Sequence, residues 1–246
     1  MLTLQQIRSA APAVFAEAPH PDVSARYQFI PTLPILQRFL DSGFPCVSAH
    51  QRADDVYASH RLTFGVDIAQ RNYMGHFRPT AHLINSHDRT RRLTFSLGMT
   101  VCVCDNQLHM PLEGISSAIE RIHLGDGRFD LDEVFGLITN GHENLIANVA
   151  AMRSHHVDDT KRLMFAKRAV MHADGHGDIL FVPTRSAEPL LTPRRESDSE
   201  PTVWNTLNVV QENLIERGRR GKGVHEIIRN HNLNLALWQE ATALLN

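Results

Sequence analysis

A short string rich in histidine and aspartate has the residue types that bind divalent metal ions. It places His172, Asp174, His176 and Asp178 at every second position, so an extended backbone would direct all four side chains to one side. Imidazole and carboxylate groups suit zinc and related ions. The alternative is a helix end followed by a turn, because the string also contains Asp-Gly and Gly-Asp pairs. With 15 histidines in the chain, such spacings also arise by chance.

A second string, Ser86-His87-Asp88, contains the three residue types of a hydrolytic triad. Triad residues normally converge from separate parts of a fold, and three sequence neighbours do not usually pass a proton along that order. The chain also lacks a G-x-S-x-G elbow, an H-E-x-x-H helix, a Walker loop and a dinucleotide-binding fingerprint. These absences favour a binding function over catalysis.

The quartet from Asn85 to Asp88 leads out of a strand-like run and has two interpretations. In the first, the quartet closes a turn in which Asp88 accepts hydrogen bonds from backbone amides and His87 donates to a neighbour. In the second, His87 and Asp88 flank the phosphate or metal ion of a ligand. The structural turn is favoured, and either arrangement needs buried hydrogen bonds.

Two clusters of basic residues are the strongest binding candidates. The tip of a predicted hairpin carries Arg89, Arg91 and Arg92, whose side chains would reach solvent and contact phosphates. Aromatic candidates for base stacking are few, and Tyr27 and Tyr73 are preferred. A glycine-rich loop between two predicted helices carries the second cluster, Arg217, Arg219, Arg220 and Lys222. The alternative is that both clusters are solvated chain segments, since cations near a helix C-terminus also interact favourably with the helix dipole.

Composition limits the class of protein. The 246 residues are 42% hydrophobic, enough for a sizeable core, and 25 basic against 27 acidic residues give a formal net charge of −2. Any anion site must therefore be local. No run approaches the ~20 apolar residues that cross a bilayer, and the N-terminal segment does not resemble a secretory signal. The three cysteines, Cys46, Cys102 and Cys104, do not suggest a disulfide, which favours a reducing cytoplasm.

The apolar patterns predict strands in the first half of the chain and helices in the second. The clearest period-two alternation, from Leu93 to Cys104, predicts a strand with one face in the core. This order predicts an α+β fold, with a mostly antiparallel sheet packed against helices. Further strands are predicted at 26–31, 44–51, 61–68 and 82–88, and helices at 3–18, 33–40, 115–123, 131–153, 158–172, 201–218 and 224–246.

Three blocks of sequence, at 26–51, 82–108 and 202–223, resemble one family in both content and order. Their motif residues are Arg26, Tyr27, Phe29, Pro31, Thr32, Asn85, Ser86, His87, Asp88, Cys104, Asn106, Trp204, Asn208, Asn213 and Arg217. Together the blocks resemble the phage- and plasmid-borne family with domain of unknown function 932, which includes YubP-, YafZ- and YfjQ-like proteins.

The resemblance implies one domain over residues 1–246, with a β-rich lobe at about 20–110 and a helical lobe at about 115–246. It also implies residence on mobile DNA, while the family carries no agreed reaction. Two glycines of the family pattern are replaced here by Arg89 and Gln107, and both turns are therefore predicted to be less permissive in backbone conformation.

These observations predict a nucleic-acid-binding accessory protein of mobile genetic elements, acting in single-stranded DNA binding or annealing. The arginine clusters would contact phosphates, and Tyr27 or Tyr73 would stack on bases. DNA is the expected partner and a homo-oligomer is left open, while neither a membrane nor a cofactor is expected. One alternative is a protein-binding inhibitor of a host defence system, which needs an exposed apolar patch. Another is a metal-dependent hydrolase built on the histidine-aspartate string, with His87 nearby.

Overall fold

The computed structural model describes residues 1–66, 77–101, 106–110, 131–174, 186–218 and 224–245. An antiparallel sheet is built from the first half of the chain, and most of the described helices come from the second half. The predicted α+β class is therefore confirmed. The helix predicted at 115–123 lies outside the described residues.

The five strands form one sheet in chain order, and every neighbouring pair is antiparallel. The alternation that predicted a strand after Leu93 is confirmed, because Phe95, Leu97 and Met99 are buried together on one face. The sequence did not separate the last strand from this one. The bounds are β1 Cys46–Gln51, β2 His60–Gly65, β3 Phe77–Asn85, β4 Thr94–Val101 and β5 Asn106–Met110.

Four of the five helices predicted for the second half are close to their observed bounds. Helices are numbered in chain order, and short 3₁₀ turns at 12–15, 188–191 and 196–198 accompany them. The bounds are α1 Leu4–Ala10, α2 Thr32–Asp41, α3 Leu131–Ser154, α4 Asp159–Asp174, α5 Val203–Gly218 and α6 Val224–Ala243.

Helix α2 covers one face of the sheet with its apolar side. Its Phe39 stacks on Phe64 of β2 with 4.2 Å between ring centroids, and both side chains are fully buried. Phe135 of α3 packs edge-on against Phe39 at 4.8 Å. The main apolar core therefore lies on this face, where aromatic contacts add to the burial of surface.

Two predicted helix starts and ends were wrong, both for reasons of local chemistry. The first helix ends at Ala10 instead of continuing to residue 18, because Pro12 disfavours helical geometry at Ala11, whose φ is −148°. Helix α5 begins at Val203 and not at Pro201, because the Thr202 hydroxyl accepts a hydrogen bond from the Asn205 backbone N–H at 3.1 Å and caps the helix.

The strand predicted at 26–31 was also wrong, since this segment is irregular. It lies across the end of β3, where the Asn85 side chain donates to the Ile30 carbonyl at 3.0 Å. A hydrogen bond from a side-chain amide thus takes the place of the backbone hydrogen bonds that would pair this segment as a strand. The segment becomes one wall of the site described below.

The second face of the sheet is polar and yet buried. Side chains there include Thr63, Thr80, His82, Ser96 and His109, each at most 3% exposed. Gly98 of β4 lies between the strands that carry His82 and His109 and leaves room for their rings to stack, with 3.9 Å between centroids. A Cβ atom at Gly98 would overlap the His82 imidazole.

Candidate anion site at the turn between the third and fourth strands

A polar turn joins β3 to β4 and is held by its own side chains. Asn85 ends β3 and accepts a hydrogen bond from the Ser86 backbone N–H at 2.9 Å. The Ser86 hydroxyl accepts from the Arg91 backbone N–H at 2.9 Å and donates to the Arg91 carbonyl at 3.3 Å. The two ends of the turn are therefore pinned to each other.

Asp88 closes the tip of the turn. Its Oδ1 accepts from the Thr90 backbone N–H at 2.9 Å and from the Thr90 hydroxyl at 2.5 Å. Partial burial raises the pKa of Asp88, but hydrogen bonds from Thr90 and Ser86 outweigh burial and hold the pKa below its ordinary value. The structural interpretation is confirmed for Asp88, whose carboxylate caps the turn.

The Ser86-His87-Asp88 string does not assemble as a hydrolytic triad. Ser86 bonds the turn backbone, Asp88 bonds Thr90, and His87 Nε2 lies 3.5 Å from the Thr32 hydroxyl. Burial lowers the pKa of His87 to about 4, so the ring is neutral at pH 7. The three side chains serve different partners, as expected for sequence neighbours.

A neutral hydrogen-bond chain fixes the segment before α2 to the sheet. The Asn85 side chain donates to Thr32 Oγ1 at 3.0 Å, and Thr32 Oγ1 lies 2.9 Å from His60 Nε2. Burial lowers the pKa of His60 to about 3, and its Nδ1 donates to the Ala58 carbonyl at 2.9 Å. The His60 Nε2 is therefore the acceptor, and the Thr32 hydroxyl donates to it.

Tyr27 ties the same segment to the turn. Its hydroxyl donates to the Ser86 carbonyl at 3.0 Å, and the side chain is half-buried. Burial, followed by the nearby Asp88 charge, raises the pKa of Tyr27, so the phenol stays protonated at neutral pH. The ring is fixed in position by this bond.

Arg89 has a backbone conformation that favours glycine. Its φ is +60°, and no other non-glycine residue in the described ranges has a positive φ. The family pattern that this chain resembles has glycine at this position. The turn therefore has a left-handed backbone at Arg89 while carrying an exposed arginine side chain.

A pocket of about 260 Å³ opens between the turn and the segment before α2. Neutral parts of its lining are Gln28, Ile30 and Leu93. We call it the arginine pocket, because it is also lined by Arg26, Arg89, Arg91 and Arg92, together with Tyr27 and Asn85.

The arginine pocket is strongly positive although the whole chain is slightly negative. Four guanidinium groups line it, and no acidic residue is among its described lining residues. Within the described ranges, Arg26, Arg89 and Arg92 make no ion pair. Asp88 stands nearby in the turn and offsets part of this charge. The electrostatic field favours an anion here.

Arg91 contributes a buried donor to this site. Its Nε atom is buried and has no hydrogen-bond partner in the described part of the chain. A buried donor without an acceptor is costly to the fold.

A second polar centre lies on the buried face of the sheet. We call His82, His109 and His231 the histidine cluster. His82 lies between the hydroxyls of Thr63 and Thr80 at 3.1 and 3.3 Å, and His109 Nδ1 lies 3.0 Å from His231 Nδ1 of α6. Burial lowers the pKa of all three imidazoles. These neutral rings bond to each other and to neighbouring hydroxyls, so the cluster presents no charge at pH 7.

The motif residues of α5 have structural contacts. Asn213 donates to the Leu190 and Thr192 carbonyls at 3.0 and 3.1 Å and so holds the irregular segment that precedes the helix. Asn208 donates to the Trp204 carbonyl at 2.8 Å, and Trp204 is 8% exposed in the core. These motif residues therefore contribute contacts within α5 and between α5 and the segment before it.

The first half of the histidine-aspartate string does not have the extended backbone on which the metal prediction depends. His172 and Asp174 belong to helix α4 instead of an extended strand. His172 Nε2 lies 3.3 Å from Glu240. The other two candidates, His176 and Asp178, lie outside the described residues. Among the residues that are described, no three His, Cys, Asp or Glu side chains form a metal-binding group.

Several nucleic-acid candidates cannot be placed beside the pocket. Arg217 belongs to α5, and only its backbone is described. The family-motif residue Asn106 belongs to β5, where likewise only the backbone is described. Whether the second basic cluster joins the arginine pocket stays a prediction. Outside the described residues lie Tyr73, Arg219, Arg220 and Lys222.

Four nucleic-acid candidates named from the sequence line the pocket, namely Tyr27, Arg89, Arg91 and Arg92, and Arg26 was not among those candidates. The position of Arg26 next to Tyr27 in the sequence was the signal that could have identified it. The histidine cluster was missed as well, because its members come from separate strands and a distant helix. Among the described helices, none is both long and apolar enough to span a bilayer.

Comparison with known proteins identifies relatives over almost the whole chain. The family model described as "Domain of unknown function (DUF932)" matches residues 19–238. The UPF0380 protein YfjQ of Escherichia coli K12 is 29% identical over 257 residues, covering 99% of this chain and 92% of the relative. The UPF0380 protein YafZ of the same organism is 27% identical over 267 residues, with the same coverage. No solved structure matches.

Proposed function

The chain belongs to the DUF932 family, and we propose that it is a nucleic-acid-binding accessory protein of mobile genetic elements that binds single-stranded DNA at the arginine pocket. One observation carries this proposal. Four arginines from two separate segments converge on one pocket that has no described acidic lining. Guanidinium groups pair well with phosphate oxygens, and releasing counterions from the strand drives such binding.

The size of the pocket sets what it can hold. Its volume of about 260 Å³ is at the lower end of the range for ligand sites, so it holds part of one nucleotide and not a length of strand. The rest of the strand would lie over the exposed Arg26 and Arg92 at the rim. A base can stack on the fixed Tyr27 ring.

The test measures binding of a labelled single strand of about 20 nucleotides by fluorescence anisotropy across a salt series. Four phosphate contacts predict a slope of about −3 for log K against log salt. The double variant Arg26→Ala with Arg92→Ala removes two contacts and should make the slope shallower by about 1.4.

A matched control removes the same charge from another surface. Lys161→Ala with Lys167→Ala takes two exposed cations from α4, far along the chain from the pocket residues. This variant should keep the slope of the unmodified chain. A flat salt dependence, or equal losses in the two double variants, would contradict a pocket-centred site.

The second basic cluster is tested in the same assay. If the surface extends to residues 217–222, Arg220→Ala with Lys222→Ala should also make the salt slope shallower by about 1.4. An unchanged slope would restrict the site to the arginine pocket. The inhibitor and hydrolase hypotheses stay predictions, with no specific supporting observation in the described part of the chain.

A further inference from the structure

The inference concerns which phosphate the arginine pocket takes, and it begins with Arg89. Its φ of +60° is unfavourable for any residue with a Cβ atom and is the natural place for glycine. The side chain makes no hydrogen bond or ion pair within the described residues that would compensate for this conformation. A strained position retained at a pocket is often linked to the function of that pocket.

The neighbouring arginines show the same imbalance. The Arg91 Nε atom is buried without an acceptor in the described chain, and the Arg26 and Arg92 side chains are exposed. Four arginines thus line a space of about 260 Å³, and no acidic residue is among its described lining residues. A single internal phosphodiester brings one negative charge, which is less than the charge of Arg89 and Arg91 alone.

We propose that the arginine pocket binds a phosphomonoester, such as the terminal phosphate of a DNA strand or of a free nucleotide, and that Arg89 is a specificity-determining residue for it. This proposal deepens the proposed function, and it rests on that function only in taking DNA as the molecule that carries the phosphate. A monoester carries about −1.5 to −2 charge at pH 7 and three acceptor oxygens, against one charge for a diester. Several guanidinium groups in a small volume distinguish between these two anions.

The shape of the pocket supports an end-on ligand. Ile30 and Leu93 contribute apolar lining, and the Asn85 amide ties one wall to the other at the Ile30 carbonyl. A pocket of this volume can hold the terminal group of a chain, whereas a continuous strand needs an exit on two sides. The terminal nucleotide would enter, and the strand would leave across the rim.

The experiment compares the same single-stranded oligonucleotide with a 5′-phosphate, a 3′-phosphate or hydroxyl ends, using the full chain in anisotropy competition. We expect one phosphorylated form to bind at least about fivefold tighter than the hydroxyl form. Deoxyadenosine monophosphate and inorganic phosphate are tested separately by calorimetry. These arms distinguish a strand end from a free nucleotide.

The outcomes separate this inference from the proposed function. Equal affinity for all three oligonucleotides would overturn the inference and leave single-strand binding intact. Binding of the nucleotide without binding of any oligonucleotide would overturn the proposed function and support the phosphomonoester site. Failure of every ligand to bind would overturn both.

Variants at Arg89 provide a readout that a structural role would not give. Arg89→Gly removes the cation and relieves the backbone, so it should raise the thermal midpoint while abolishing the preference for a phosphorylated end. Arg89→Lys keeps the charge and should retain part of the preference. If Arg89→Gly keeps the full preference, Arg89 has no role in specificity.

Discussion

The arginine pocket and the histidine cluster are both polar, but they differ in how their polar groups are satisfied. The imidazoles of the cluster bond to each other and to threonine hydroxyls, and burial keeps them neutral. The pocket instead holds permanently charged guanidinium groups, one of which has a buried nitrogen without a described acceptor. Residue type alone therefore does not identify a binding site. The permanent charge of the arginines that line the pocket is the better guide.

The largest effect on stability should be that of pH, because buried neutral histidines occur both in the histidine cluster and beside the arginine pocket. Neutral buried histidines have folded-state pKa values below their ordinary value of about 6.5. The unfolded chain therefore binds more protons below this pH, and stability that is complete above pH 6.5 is lost as pH falls. His87 and His231, each with a pKa of about 4, should each cost about 2 kcal/mol between pH 7 and pH 5.

Urea denaturation at pH 7, 6 and 5 measures this loss. The pKa values of His60, His82, His109 and His142 are lowered as well, so each of these residues adds to the loss of stability. The total should therefore exceed the roughly 4 kcal/mol expected from His87 and His231 together. Asp88 titrates below this window, because its pKa is lowered. A free energy of unfolding that stays constant down to pH 5 would show that the rings are not neutral and buried.

The next largest effect is expected from Gly98→Ala, because the new methyl group overlaps the His82 ring in the histidine cluster. Overpacking of this kind should cost about 3 kcal/mol in the free energy of unfolding, measured with urea. Gly136→Ala is the matched control, since Gly136 lies in α3 with no atom within 4 Å of the added Cβ. That control should stabilise the chain by about 0.5 to 1 kcal/mol.

A smaller loss is expected from His231→Leu. The substitution leaves His109 Nδ1 without the partner that it has at 3.0 Å, which should cost about 2 kcal/mol. Asn232→Ala, at the next and exposed position of α6, should change stability by less than about 0.5 kcal/mol. Neither change should alter binding of single-stranded DNA. A loss of binding in His231→Leu at full stability would assign the cluster to the functional site.

The smallest effect on stability should come from the pocket itself. Arg26→Ala with Arg92→Ala removes exposed side chains that make no ion pair in the described ranges, so unfolding should change by less than about 0.5 kcal/mol. The same variant should weaken DNA binding. A marked destabilisation would mean that these arginines support the fold, and the contrast between the two regions would be lost.

The sequence predicted the elements whose signal is local. The alternation after Leu93 identified β4, and the clustered Arg89, Arg91 and Arg92 marked the turn that follows β3. The segment at 26–31 was misassigned as a strand because its polar and apolar residues do alternate. A strand also needs a hydrogen-bonded partner strand, and here the Asn85 side chain binds the Ile30 carbonyl instead. Short polar alternation alone does not distinguish these cases.

The histidine cluster could not be predicted, because its geometry depends on sheet register. His82 and His109 meet only because Gly98, opposite His109 on the intervening strand, has no side chain between them. Histidine counts say nothing of this arrangement. The Asn213 contacts depend likewise on where the chain returns, and the family motif alone did not reveal that this residue holds a neighbouring segment.

The Asn85 carboxamide has a thermodynamic consequence for any ligand that enters beside it. By joining β3 to the Ile30 carbonyl and the Thr32 hydroxyl through uncharged bonds, it sets the width of the opening before the ligand arrives. The entropy of ordering both walls is then lost during folding and not during association. Association should accordingly be fast and free of a slow isomerisation phase. The distance between the two walls should not change with ionic strength.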